Sequence, residues 1–330
     1  MAFADAYKKQ VALLLRVLPL VAEEKCFALK GGTAINLFVR DLPRLSVDID
    51  LTYIPVAPRA ESLSDIDAAM KRIVAEIKGK IPGAQVHETR KEGTIVKLVV
   101  RSQNVQIKIE VTPVLRGCVF EPVVTSVRPA VEEAFGFAEA RTVSFADLYG
   151  GKIVAALDRQ HPRDLFDTRD LLANEGITDE LRKAFIVYLL SHDRPMFEVL
   201  GSPQKDISDE FLHGFEGMTD KPVSKDELVA ARKTLVEEIV GKMPEAHRKF
   251  LVSFERGEPD WDLLGIPAAA DLPAVKWRQQ NLDKLSKEKR AELVAALEKV
   301  RTHTMKTARL THARGQSELY DRLGEGQAAC

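Results

Sequence analysis

The sequence predicts an α+β fold, with a mixed sheet flanked by helices over residues 1–140 and a helical domain over residues 141–330. Three observations carry this. Ser46 to Tyr53 alternates apolar and polar residues with the period of a half-buried strand. Thr94 to Arg101 and Val105 to Val111 read as two more strands, and from about Ser144 the apolar spacing becomes helical. At 330 residues the chain also exceeds the usual size of one core, which favours two packed regions.

In chain order, Tyr7 to Glu24 repeats apolar residues at helical spacing (Val11, Leu14, Leu15, Leu18, Val21, Ala22). Cys26 to Leu29 is a short apolar run that ends at Lys30-Gly31-Gly32-Thr33. The glycines predict a sharp turn, and Ala34 to Val39 the helix that leaves it. Ser64 to Lys78 predicts a helix, with Ser64 and Asp67 at capping-box-like spacing at its start. Ser102-Gln103-Asn104 joins the second and third strands as a hairpin. Helices follow at Phe145 to Arg159, Arg163 to Ala173, Asp179 to Leu190 and Lys225 to Val240. Trp261 to Pro267 reads as a turn-rich connector, Ser286 to Arg309 as a last charged helix, and the tail after Gly324 as frayed.

Composition narrows the class. The formal net charge of -1 neither demands nor excludes nucleic acid, because a neutral total can hide a local basic face. Arg182-Lys183, Arg278, the run from Lys284 through Arg290, and Lys299, Arg301, Lys306 and Arg309 are candidates for phosphate contact, although charged helix faces are more often simply solvated. Cys26, Cys118 and Cys330 are odd in number and far apart, which argues against a disulfide framework or a zinc site. The N-terminal residues lack signal-peptide order and no apolar run reaches membrane-spanning length, so the expectation is a soluble, cytoplasmic protein without membrane association.

The chemistry is expected from the acids. Alternation puts Asp48 and Asp50 on one strand face, with Cα atoms roughly 6.5–7 Å apart. Carboxylates this close repel each other and favour a shared hard cation, Mg²⁺ or Mn²⁺. Glu110 lies on the polar face of another strand with Gln106 and Lys108, and completes a metal-binding set if the strands are neighbours. Three carboxylates so placed suit a two-metal phosphoryl displacement. The Gly31-Gly32-Thr33 turn opens a helix whose N–H groups and dipole favour a triphosphate. Asp65-Ile66-Asp67 repeats the Asp-Ile-Asp string, but on a helix residues two apart diverge by about 200°, so it reads as helix-start charge.

A second constellation lies in the helical half. Lys152 sits in Tyr149-Gly150-Gly151-Lys152, and Asp164 and Asp167 in Arg163-Asp164-Leu165-Phe166-Asp167 share one helical face. On helix physics alone Lys152 is a solvated lysine and Asp164 a helix-start acid. A lysine reaching over a triphosphate would neutralise charge near the leaving pyrophosphate.

The ordered set Lys30-Gly31-Gly32-Thr33, Ser46-Val47-Asp48-Ile49-Asp50, Lys108-Ile109-Glu110-Val111, Lys152 and Arg163 to Asp167 resembles the AbiEii/AbiGii family of nucleotidyltransferase toxins. The resemblance extends through Phe215-Glu216-Gly217-Met218 and Gly257-Glu258-Pro259-Asp260-Trp261. Its glycine-turn and Asp-x-Asp part is shared by the whole DNA polymerase β-like superfamily. It implies a polymerase-β-like sheet followed by a helical domain that brings Lys152 and Asp164 or Asp167 to the cleft. It also implies Mg²⁺ and a nucleoside triphosphate donor, with NMP transfer to the 3′ end of tRNA. The expected setting is a type IV toxin–antitoxin, abortive-infection pair, with an antitoxin or transcriptional regulator encoded alongside.

By the same resemblance Asp48 and Asp50 match the metal acids. Gly32 and Thr33, with Gly31 and Ser46, match the triphosphate turn, and Lys108 and Glu110 the second motif. Lys152 matches an essential lysine, and Asp164 or Asp167 the last acid. The alternatives are transfer to a small molecule or protein, and a nucleotide-binding module without turnover.

Overall fold

The computed structural model describes residues 5–300. The front half alternates helix and strand: α1 (Asp5–Ala22), β1 (Phe27–Lys30), α2 (Gly31–Ala34), which widens into a π-type turn at Ile35–Val39, β2 (Asp48–Tyr53) and α3 (Arg59–Lys80). Then come β3 (Gln85–Lys91), β4 (Thr94–Ser102), β5 (Val105–Arg116), β6 (Val123–Ser126), α4 (Pro129–Phe135) and β7 (Glu139–Thr142). These strands form one seven-stranded mixed sheet in the order β3-β4-β5-β2-β1-β7-β6. β2 runs parallel to β5 and antiparallel to β1, which puts the Asp-x-Asp strand at the centre.

The sheet's two faces follow from the alternation. Ile49, Leu51, Ile107, Ile109, Leu98 and Val100 are fully buried on one face, where α1 and α3 cover the sheet. Each such side chain contributes about 1.5–3 kcal/mol by leaving water. The opposite face carries Asp48, Asp50, Lys108, Glu110 and Lys97. The β4–β5 hairpin turns on Gln103 and Asn104, with φ of 48 and 63, as a two-residue hairpin of this twist requires.

The back half is helical: α5 (Phe145–Asp158), α6 (Pro162–Asn174), α7 (Asp179–Leu190), α8 (Met196–Leu200), α9 (Ser208–Gly214), α10 (Lys225–Val236), α11 (Glu245–Arg256) and α12 (Pro273–Asp283). Ser144 and Thr178 cap α5 and α7, and Ser224 with Glu227 forms a capping box on α10. The expected division near residue 140 falls within β7, and one hydrophobic cluster runs from Val11 to Leu297. Among the described residues no helix is long and apolar enough to cross a membrane.

Several local readings are corrected. α3 begins at Arg59 after Pro58, so Ser64 and Asp67 are interior rather than a capping box. Asp65 accepts from the Tyr53 hydroxyl (2.7 Å), while Asp67 accepts from the Ile95 amide (3.0 Å) and pairs with Lys71 and Arg90. These acids tie α3 to the sheet rather than serving its dipole. The last helix is observed over 287–300; the rest of the expected Ser286 to Arg309 helix, and the tail after Gly324, lie outside the described residues.

Candidate active site

The site begins where β1 ends. Gly31 has φ 75, in the left-handed region open to glycine, and a Cβ there would collide with the Asp50 carboxylate. A Cβ on Gly32 would lie 2.7 Å from Arg44 Nη2 and 2.9 Å from Ser46 Oγ. The two glycines thus let the turn pass under the acids of β2. The Thr33 hydroxyl donates to the Asp48 carbonyl (2.5 Å) and lies 3.0 Å from Ser46 Oγ, so the turn is locked to the strand that carries the acids. Asn36 Nδ2 closes the first helical turn on the Gly32 carbonyl at 2.8 Å.

Register supplies the next layer. Asp50 is directly opposite Glu110, and Asp48 opposite Lys108, on the parallel pair β2/β5. Lys30 faces Asp50 from β1 and Lys97 faces Glu110 from β4. A row Lys30–Asp50–Glu110–Lys97 therefore crosses four strands. Burial pushes the Asp50 carboxyl up; Lys30 and Lys152 oppose this, while Asp48 and Glu110 add to it. Lys97 bonds Glu110 at 2.6 Å, which raises the lysine. Burial lowers the Lys30 ammonium against the attraction of Asp50.

The helical half closes one side. Lys152 on α5 lies 2.9 Å from Asp164 Oδ1 and 3.1 Å from Asp167 Oδ2. Arg44 grips Asp167 with Nε at 2.7 Å and Nη2 at 2.6 Å, and Arg159 grips Asp164 with Nε at 2.6 Å and Nη2 at 3.0 Å. Burial alone would raise both acids. Lys152 and Arg159 nevertheless hold Asp164 far below the usual carboxylate range, and Arg44 and Lys152 lower Asp167. Lys152 is 8% exposed and Asp164 2%, so neither is the solvated side chain that helix physics alone suggests.

Beside this network opens a cavity of about 460 Å³, lined by Lys30, Gly31, Leu115, Lys152, Arg159 and His192 among others. It adjoins the glycine turn and has an apolar wall from α5 and α7, including Val154 and Tyr188. Such a pocket can bury the apolar part of a ligand while its cationic rim takes an anion.

Thr33, Ser46, Asp48, Asp50, Lys108 and Glu110 are brought together around β2, and Lys152, Asp164 and Asp167 form a separate cluster across the turn. Among the described residues no three His, Cys, Asp or Glu side chains are placed to hold a metal ion together, so Asp48, Asp50 and Glu110 do not form a ready three-acid set. The donor chemistry of two acids still fits a hard cation, since among the described residues neither Asp48 nor Asp50 is in a direct ion pair while Lys97 holds Glu110.

Arg44 and Arg159 stand outside the motifs that the sequence offers, and Lys30 enters only as the first residue of Lys30-Gly31-Gly32-Thr33, with no role of its own. Arg44 lies between Leu42 and Leu45, both buried, so an arginine in an apolar neighbourhood was the available signal. Three of the expected phosphate contacts are structural instead, Arg290 among them, which donates to the Arg256 and Leu282 carbonyls. Arg182 donates to the Ile239 and Glu238 carbonyls, and Arg278 to those of His192 and Arg194. Lys183 pairs with Asp179 and Lys289 with Glu292; Arg301, Lys306 and Arg309 lie outside the described residues.

A glycine turn bonded beneath a strand of paired carboxylates, next to a cationic cavity, defines a nucleotidyltransferase arrangement. The family model described as "Nucleotidyl transferase AbiEii toxin, Type IV TA system" matches residues 12–280. The chain belongs to this family of nucleotidyltransferase toxins of type IV toxin–antitoxin systems. The fold is similar to that of MenT4, a nucleotidyltransferase toxin from Mycobacterium tuberculosis H37Rv, with TM-score 0.55 and 16% identity over 90% of this chain and 95% of that one. No curated protein matches.

Proposed function

We propose that this toxin moves an NMP from a nucleoside triphosphate to an RNA 3′-hydroxyl, that of tRNA, in the cytoplasm, in a phage-defence setting and under control of an antitoxin encoded alongside. The observation that carries the reading is the register of Asp50 with Glu110, with Asp48 two residues away on the same face and the glycine turn directly below. Asp48 and Asp50 would hold Mg²⁺, joined by Glu110 if it exchanges Lys97 for the ion. Bound there, the ion supplies charge neutralisation on the phosphates. Burial and its acidic neighbours raise Asp50, so a cation bound there would favour its ionised form.

The chain's own part is positioning and proton handling. Gly31, Gly32 and Thr33 allow the phosphate chain to approach the backbone, with Ser46 fixing Thr33 and Lys108 supplying charge beside Asp48. Glu110, 41% exposed, can be reached by an incoming hydroxyl, whose proton it would accept as the hydroxyl attacks.

Purified protein incubated with Mg²⁺, each labelled NTP and total tRNA tests the reading. Label should appear in tRNA with wild type and disappear with Asp48→Asn or Asp50→Asn. Absence of label with wild type, or equal label with both variants, would overturn it.

A further inference from the structure

Lys30 ends β1 and lines the cavity together with Gly31, Lys152 and Arg159. Pairing with Asp50 puts its side chain on the acidic face of the sheet. The surrounding cations are already matched. Lys152 sits between Asp164 (2.9 Å) and Asp167 (3.1 Å), Arg44 is bidentate on Asp167, and Arg159 is bidentate on Asp164. Lys97 holds Glu110 at 2.6 Å.

The two acidic groups of the cavity wall near α5 are matched as well. Asp147 accepts from the Val119 and Phe120 amides and from the Ser144 and Tyr188 hydroxyls, and Asp158 is paired with Arg194 and His192. Among the described residues the Lys30 ammonium makes no hydrogen bond and no direct ion pair; Asp50 attracts it from the next strand without a side-chain bond.

An ammonium drawn into a protein cavity without a partner is costly, because it loses hydration and gains little in return. An anionic ligand removes that cost. The matched state of Lys152 makes it a poor source of charge for the same ligand, since two carboxylates already lie within hydrogen-bond reach of one ammonium.

We propose that Lys30 is a catalytic residue that receives the β- and γ-phosphates of the nucleotide donor in this cavity, and that Lys152 is a positioning residue joining α5 to α6. The proposal rests on the nucleotidyl-transfer reading. In the step concerned, the acceptor hydroxyl oxygen bonds to the α-phosphorus and the bond from that phosphorus to the α–β bridging oxygen breaks. The bond's electron pair leaves on pyrophosphate, and the hydroxyl proton passes to Glu110. Lys30 keeps its own proton and offsets the charge gathering on the leaving pyrophosphate.

Inorganic pyrophosphate with Mg²⁺ is a probe independent of base preference. Calorimetric titration of the full chain should show wild type binding it, Lys30→Met binding it about tenfold to a hundredfold more weakly, and Lys30→Arg recovering most of the loss, in line with a charge-assisted hydrogen bond. In transfer assays Lys30→Met should raise KM for the NTP and lower kcat, as expected of a group that touches both donor and leaving group.

Wild-type affinity for pyrophosphate in Lys30→Met, or no binding by wild type, overturns the proposal. Thermal melting checks the fold, and Lys30→Gln, which keeps a polar end, replaces Met if that variant fails to fold. Pyrophosphate binding through Lys30 without label in any RNA would sink the transfer reading and leave the anion site standing. Normal transfer by wild type with unchanged kcat and KM in Lys30→Met would sink Lys30 alone.

Discussion

Asp50 and Glu110 stand directly opposite each other on the parallel strands β2 and β5, two carboxylates held side by side by backbone pairing. Lys30 and Lys97 flank them on the outer strands of the same row. Neighbouring strands are about 4.8 Å apart, so this repulsion is built into the sheet and offset only in part by the two lysines.

Asp50→Asn should therefore separate activity from stability. Transfer should fall about a hundredfold or more, because the variant removes a carboxylate of the proposed metal site. The melting temperature should change little, because relief of a carboxyl raised by burial and by its acidic neighbours is set against the attraction that Lys30 loses. Parallel turnover and melting measurements check it; a fall in both would make Asp50 a structural acid.

Lys152→Met should destabilise strongly. It leaves Asp164 and Asp167 buried with one cation fewer, a loss of about 3–5 kcal/mol for a broken buried pair. Denaturant titration measures this. Adding Asp164→Asn should recover part of the loss, and strictly additive effects would show that the two residues are not coupled.

Acid should reveal the Arg44–Asp167 pair. The folded Asp167 carboxyl is lowered by Arg44 and Lys152, so its contribution is fully present above the unfolded value of about 4 and is lost as pH falls through the folded one. Asp167→Asn should be less stable than wild type at pH 7, and the gap should narrow as pH drops below about 4. Denaturation midpoints across that range are the measurement, and a constant gap would contradict the pairing.

Gly31→Ala tests the turn. Its φ of 75 and the approach of Asp50 leave no room for Cβ, so stability should fall by about 1–2 kcal/mol and transfer should be lost. Gly83, with φ 70 and open space around it, is the control: Gly83→Ala should cost similar backbone strain and spare activity. Equal activity loss in both would remove the steric argument.

What was readable from the sequence was local. The alternation around Asp48 and Asp50 and the span Asp179–Leu190 follow from periods of two or 3.6 residues, which neighbours in the chain set by themselves. The same logic separated Asp65-Ile66-Asp67 from the strand pair but misjudged its purpose, because the Tyr53 hydroxyl and the Ile95 amide reach it from other elements. β3, β6 and β7 went unread: β3 is largely exposed and β6 and β7 are four residues each, too short or too polar for a period to stand out.

The sequence alone determined the acids, their strand phase, the glycine turn and the family to which their order points. The tertiary structure decided which charges meet. Arg44 reaches Asp167 across 123 residues of chain, Lys152 is enclosed rather than solvated, and Lys30 is left facing a cavity. Periodicity fixes the face on which a side chain lies, but a charge is matched or free only according to which distant elements pack against that face.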